Sequence, residues 1–212
     1  MKICLLTSRP SAAIQLVYYA QTRGVRFDDV IIVGDGGDKF FIFKEYAQFN
    51  GFGLHFVDDP NGVSCIRLLT EIQPDILKIV LTEIIRKPVL DIPKIGTLNT
   101  HAAILPRYRG VDTGYWAVLE GEKVGVVEHF VDEGVDTGDI VCQCELGIRP
   151  EDTINDIFYR NHYLNKWQVA TKALLMIQNG AMNPMPQKPE DGRHYFAMHS
   201  KLKQIIKEPR EN

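Results

Sequence analysis

This chain of 212 residues is short of positive charge, with 24 Lys and Arg against 27 Asp and Glu and a formal net charge of −3. A broad basic surface is therefore absent, which argues against nucleic acid as the main partner and leaves a small substrate met at a local site. Cysteine is scarce as well: there are four, at Cys4, Cys65, Cys142 and Cys144. The Cys142-x-Cys144 spacing puts both on one face of a strand and not in a metal-knuckle turn, so buried reduced thiols are expected. No window approaches the roughly 18 apolar residues of a membrane span, and the opening MKICLLTSRP is too short in its apolar run for a signal peptide. A cytoplasmic protein with no membrane partner is the expectation. The last absence is glycine after the first apolar run, where Thr7-Ser8-Arg9-Pro10-Ser11-Ala12 stands in place of G-x-G-x-x-G. An NAD-type cofactor is disfavoured, because no residue there lets the backbone approach a pyrophosphate.

What is present is apolar content for one sizeable core, at 45% hydrophobic residues. Apolar runs at Lys2–Ser8, Val30–Gly34, Gly53–Asp58 and Asp75–Thr82 read as strands, the first two without alternation and so buried on both faces. Between them Ser11–Arg23, Lys39–Asn50 and Val63–Ile72 have helical spacing, and a short helix at Ile84–Leu90 leads to Gly96–Asn99. Alternation of this kind predicts βαβ units and an α/β fold with a mostly parallel, Rossmann-like sheet. Its functional loops belong at the carboxyl ends of the strands, so Thr7–Ser11, Asp35–Asp38 and Asn99–Gly110 should share one edge, with Gly34–Gly37 read as a turn. Lys123–Val131 and Ile140–Ile148 follow with no helix between them and predict an antiparallel pair toward the C-terminal half. A long helix is expected over Thr153–Asn179, opened by Thr153 with Asp156 three residues on and closed by Gly180, its Trp and Tyr residues packing and not holding a cofactor. The organisation expected is a domain over residues 1–180 and an extension over 181–212 packed on or near it, containing a hydrophobic knot at Tyr195–Met198 and a helix-like end at Leu202–Lys207.

Polar residues with chemical reach concentrate between Gly96 and Ile140. Asn99 and His101 leave the end of a strand two residues apart and so point the same way, one a neutral amide donor and the other an imidazole titrating near neutrality. Taken alone, such a pair is more often structural. Asp136 adds a carboxylate in a glycine-containing loop with Asp132, Glu133 and Asp139. A solvated turn would read the same way; a calcium loop would not, because the spacing misses the twelve-residue EF-hand pattern.

NTHAAILPRYRG, then Trp116, then GVVEHFVDEGVDTGDI resembles the signature of the folate-dependent formyltransferases, which include glycinamide ribonucleotide transformylase, methionyl-tRNA formyltransferase and sugar N-formyltransferases. The resemblance implies 10-formyltetrahydrofolate as donor, a primary amine as acceptor, no metal, and a catalytic set falling on Asn99, His101 and Asp136. His101, if protonated by pairing with Asp136, would donate to the developing oxyanion beside the Asn99 amide, while Asp136 could hold a proton-relaying water. His129 is expected to support the loop or to be structural. The folate is expected along Ile84–Ile95 and Val135–Asp139, with Ile84, Ile85, Val89, Leu98, Val135 and Asp136 as contacts. Ser8, Arg9, Ser11, Arg107 and Arg109 are the expected acceptor-side residues, against an even expectation that the arginines are simply solvated.

Departures from the subfamilies bear on the acceptor. The glycinamide ribonucleotide enzymes carry a Gly, Ser and Asn phosphate loop where this chain has Ser8-Arg9-Pro10-Ser11, and Pro10 removes a backbone donor. About thirty residues follow position 180, so the basic tRNA-binding domain of the methionyl-tRNA enzymes is not expected, nor is the N-terminal regulatory domain of the formyltetrahydrofolate hydrolases. A nucleotide-linked amino sugar is the first expectation, glycinamide ribonucleotide the second, and a non-catalytic folate- or metabolite-binding protein the third. Tyr195–Met198 could serve a homodimer interface or pack within the chain.

Overall fold

The computed structural model describes residues 1–34 and 41–207, and these divide into two compact units. The first comprises Met1–Asn99 with Phe130–Glu133, and the second Thr100–His129 with Gly134–Asn212.

In the first unit the predicted alternation is realised as β1 (Ile3–Thr7), α1 (Pro10–Gln21), β2 (Asp29–Val33), α2 (Phe41–Asn50), β3 (Gly53–Val57), α3 (Val63–Ile72), β4 (Ile76–Val80), the single turn α4 (Lys87–Leu90) and β5 (Gly96–His101), whose last two residues enter the second unit. The strands lie in the order β3-β2-β1-β4-β5, all parallel, which is the Rossmann arrangement. β1 is buried at every position and β2 at its three central ones, as unalternating apolar runs require, β4 is buried throughout although it carries Lys78, and the cluster of Cys4, Leu6, Ile31, Leu77 and Ile79 packs against Cys65, Leu69 and Ile72 of α3. Each such aliphatic side chain contributes about 1.5–3 kcal/mol. Thr7 lies level with Val80, and Ile79 with Asn99, so the carboxyl ends of β1, β4 and β5 share one edge as expected. The Asp35–Asp38 loop, the Gly34–Gly37 turn beyond its first residue and the start of the second helix at Lys39 lie outside the described residues.

The second unit holds β6 (Tyr108–Gly110), α5 (Thr113–Leu119), β7 (Val124–Phe130, its last residue in the first unit), β8 (Ile140–Leu146), α6 (Ile154–Tyr159), α7 (Lys166–Gln178), β9 (Arg193–Tyr195) and α8 (Ser200–Lys207). β7 and β8 form the expected antiparallel pair, with an irregularity between Glu128 and His129. The expected long helix carries a π-helical stretch at Arg160–Asn165 between α6 and α7. There the Asn161 amide donates to the carbonyls of Gly125 at 2.7 Å and Ala102 at 3.4 Å, tying the helix to the chain just past His101. Trp167 is buried in α7, and Gly180, with φ +65°, ends the helix in the left-handed region.

β6, β9 and α5 are additions to the predicted elements. β9 pairs parallel with β6, and Tyr195 stacks on Tyr108 with ring centroids 5.1 Å apart. Met198 is buried and its N–H donates to Asp112, so the Tyr195–Met198 knot packs within the chain, although Phe196 remains exposed. All four cysteines are free; Cys4 and Cys65 are buried, whereas Cys142 is half-buried and Cys144 exposed. The expectation of burial fails at Cys144 because burial along β8 ends after Val141. No helix among the described residues is long and apolar enough to cross a membrane.

Thr153 and Asp156 form a reciprocal capping box at the start of α6. Thr153→Ala should lower stability by about 1 kcal/mol, read as a reduced urea midpoint at unchanged slope.

Candidate active site

The second unit brings His101, His129 and Asp136 together. His101 is delivered by the end of β5 and is 8% exposed; His129 comes from β7 beside its irregularity and is 2% exposed. Bulges re-aim the side chains next to them, and here one lies against a buried imidazole. Asp136 sits between the two rings, with Oδ2 3.4 Å from His101 Nδ1 and Oδ1 3.4 Å from His129 Nε2. A third group reaches the same carboxylate, because the Gly110 N–H donates to Oδ2 at 2.9 Å. The Asp136 backbone has φ +54°, a left-handed conformation that Asp tolerates better than most residues but that still requires support.

Burial alone would raise the Asp136 pKa. The hydrogen bond with His129, the charges of the two imidazoles and the Gly110 N–H outweigh it and bring the carboxyl down to about 2. Asp136 is therefore ionised across the neutral range. His101 moves the other way: burial, the largest influence, holds its pKa below the ordinary 6.5, opposed by Asp136 and reinforced by His129. Of the two opposed influences on His101, the carboxylate beside it and the burial of its ring, burial is the larger.

The tautomer follows from the ring's other side. His101 Nε2 lies 2.8 Å from the Tyr108 carbonyl, which can only accept, and 3.3 Å from the Thr113 hydroxyl. Nε2 must carry a proton. In the neutral ring the Nδ1 lone pair then faces Asp136, so a proton arriving there meets a waiting carboxylate. Asn99 is the last residue of the first unit, two positions before His101 on the same strand, and is half-buried.

The remaining expected site residues have these places. Ile84 is 70% and Val135 39% exposed, whereas Ile85, Val89 and Leu98 are buried. Ser8 donates its hydroxyl to Glu83 at 2.8 Å, the Arg9 N–H donates to the Thr7 hydroxyl, and Arg9 and Ser11 are exposed. Arg107 is exposed and paired with Glu122. Arg109 is 5% exposed, and its guanidinium donates to Gln187 Oε1 and to the carbonyls of Lys188 and Pro189. Among the described residues no group of three or more His, Cys, Asp or Glu could hold a metal ion. The backbone of Tyr108 and Gly110, the Thr113 hydroxyl and Gln187 were missed by sequence reading, since peptide groups have no side-chain signature and Gln187 is a lone amide in a proline-rich tail.

A family model described as formyl transferase matches residues 62–174, a span that includes Asn99, His101, His129 and Asp136. The chain belongs to the formyl transferase family. Among its relatives, the methionyl-tRNA formyltransferase of Agathobacter rectalis is 33% identical over 161 residues, 75% of this chain and 52% of that protein. The chain thus spans about half the length of the curated relatives it matches. Among solved structures, glycinamide ribonucleotide transformylase 1 from Symbiobacterium toebii superposes with TM-score 0.71 at 20% identity, over 89% of this chain and 94% of that one. An N-formyltransferase from Helicobacter canadensis, in complex with folinic acid and dTDP-3-aminofucose, does so with TM-score 0.65 at 22% identity, over 92% and 70%. These likenesses establish the α/β fold with its mostly parallel sheet.

Both titrations at the site act on stability in one direction. His101, lowered from 6.5, makes the unfolded chain the better proton binder just below that pH. Asp136, lowered from 3.8 to about 2, does the same between those values. Stability should fall in two steps on acidification, the first beginning near 6.5 and the second lying between about 4 and about 2. Urea unfolding across pH should show His101→Asn flattening the first step and Asp136→Asn the second.

Proposed function

We propose that this chain transfers a formyl group from 10-formyltetrahydrofolate to the primary amine of a small metabolite, with a nucleotide-linked amino sugar as the acceptor. The observation that carries the reading is the Asp136 carboxylate facing His101 Nδ1 at 3.4 Å, inside the span that matches the formyl transferase family. When bound, the folate supplies the electrophilic formyl carbon. The exposed side chain of Val135, next to Asp136, suits a flat, partly apolar ring.

Transfer forms a bond from the amine nitrogen to the formyl carbon and breaks the bond from that carbon to the folate nitrogen. One proton leaves the amine and one reaches the folate nitrogen, so the protein must hold a proton in between and stabilise charge on the carbonyl oxygen. His101 Nδ1 with Asp136 suits the proton-holding role, since the imidazolium, once formed, is satisfied at both nitrogens, by Asp136 and by the Tyr108 carbonyl. The Asn99 amide suits stabilisation of the oxygen. Donation from His101 Nε2 to the same oxygen requires that N–H to leave the Tyr108 carbonyl.

The acceptor preference rests on the loop after β1. Its Ser8 hydroxyl is engaged by a carboxylate, its Arg9 N–H by Thr7, and Pro10 has no N–H, which makes a poor cradle for the phosphate of glycinamide ribonucleotide. The neighbour from Helicobacter canadensis, in complex with an amino-sugar nucleotide, supports the same preference. Glycinamide ribonucleotide is kept as the second reading because the Symbiobacterium enzyme is matched over 94% of its length.

The test is a panel of amines with 10-formyltetrahydrofolate, followed by folate absorbance. Turnover with an amino-sugar nucleotide is expected; turnover with glycinamide ribonucleotide or methionyl-tRNA alone overturns the acceptor, and folate binding without turnover overturns the reaction. Asp136→Asn and His101→Ala should each lower kcat/KM by about 100-fold or more. Losses of only a few-fold would remove these residues from the chemistry.

A further inference from the structure

Within the C-terminal segment, Gln187 bridges a buried guanidinium and the loop that carries Asp136. Gln187 Oε1 accepts from Arg109 Nε at 3.2 Å and Nη2 at 3.1 Å. A guanidinium has no acceptor, so the amide oxygen must face it and the orientation of the amide is settled. The Nε2 group then points to the loop that carries Asp136, donating to the Asp136 carbonyl at 3.2 Å and the Gly138 carbonyl at 2.5 Å.

That loop needs holding, because Asp136 is in the left-handed region and its carboxylate is useful only in line with His101 and His129. Gln187 fixes its backbone. The same tail fixes its carboxylate less directly: β9 pairs with β6 at Gly110↔Tyr195, and Gly110 presents the N–H that binds Oδ2. Gly110 has φ +100°, and a Cβ there would lie 2.2 Å from the Tyr195 carbonyl, so the approach is one that glycine alone allows. Arg109, between the two contacts, is buried and bonded to Gln187, Lys188 and Pro189, which locks the segment in register.

We propose that Gln187 is a positioning residue for Asp136, and that residues 187–195 thereby belong to the transfer machinery. The proposal rests on the formyl-transfer reading for its kinetic consequence, and on geometry alone for its structural one. Gln187→Glu separates anchoring of the tail from positioning of the loop: a carboxylate keeps the Arg109 contacts but sets an oxygen, in place of an NH2, against two carbonyls.

In the full chain, Gln187→Glu should melt within a few degrees of wild type yet lose about 10- to 100-fold in kcat with KM changed less than about threefold. Imidazole 15N NMR should show the His101 titration moved to lower pH, because its opposing carboxylate is displaced. Combined with Asp136→Asn, it should cost little more than Asp136→Asn alone. Gln187→Ala should lose rate similarly. If Gln187→Glu keeps kcat within about twofold and leaves the His101 titration unchanged, or if only Gln187→Ala loses rate together with its melting temperature, Gln187 is a tail anchor and the proposal is overturned. Should wild type turn over no amine, the transfer reading fails, while the NMR comparison still decides whether Gln187 positions Asp136.

Discussion

The arrangement of the second unit depends on keeping one carboxylate ionised away from water. Asp136 is flanked by two imidazoles and accepts from a backbone N–H, and each partner comes from a separate part of the chain: His101 from the end of β5, His129 from β7 and Gly110 from β6. A buried carboxylate without such partners would take up a proton. Its low pKa thus reports how closely three elements converge, and the left-handed backbone at Asp136 is the local strain that convergence exacts.

The carboxylate lies 3.4 Å from a ring nitrogen of each histidine. His101 has an acceptor on either side of its ring, while burial works against its charged form. The result is a proton site poised between a solvent-poor environment that repels charge and two oxygens that would welcome it.

Much of this was legible in the residues. Unalternating apolar runs betrayed the buried strands β1 and β2, and the signature containing His101, His129 and Asp136 pointed to the stretch in which these three side chains meet. Elements of three residues escaped: β6 and β9 are too short to show a period, and each is a strand only because the other exists. The π-helical stretch escaped because a single wide turn leaves no mark in apolar spacing. Arginine reads as a surface residue by default, which is why the burial of Arg109 could not be anticipated; its partners are an amide and two peptide carbonyls from a segment about eighty positions away. The protonation state of His101 was out of reach for a related reason, since it is decided by desolvation and only a folded chain has an interior.

The pairing of β6 with β9 also dictates when the site can exist. Tyr108 and Arg193 are brought into register across 85 intervening bonds of sequence, and nothing local rewards that closure before it is complete. During synthesis, the histidines and Asp136 emerge well before the strand that sets Gly110. A nascent chain ending short of residue 195 holds His101, His129, Asp136 and Gly110 but lacks the strand with which Gly110 pairs. Assembly of the carboxylate's surroundings is therefore a late event in the life of each molecule.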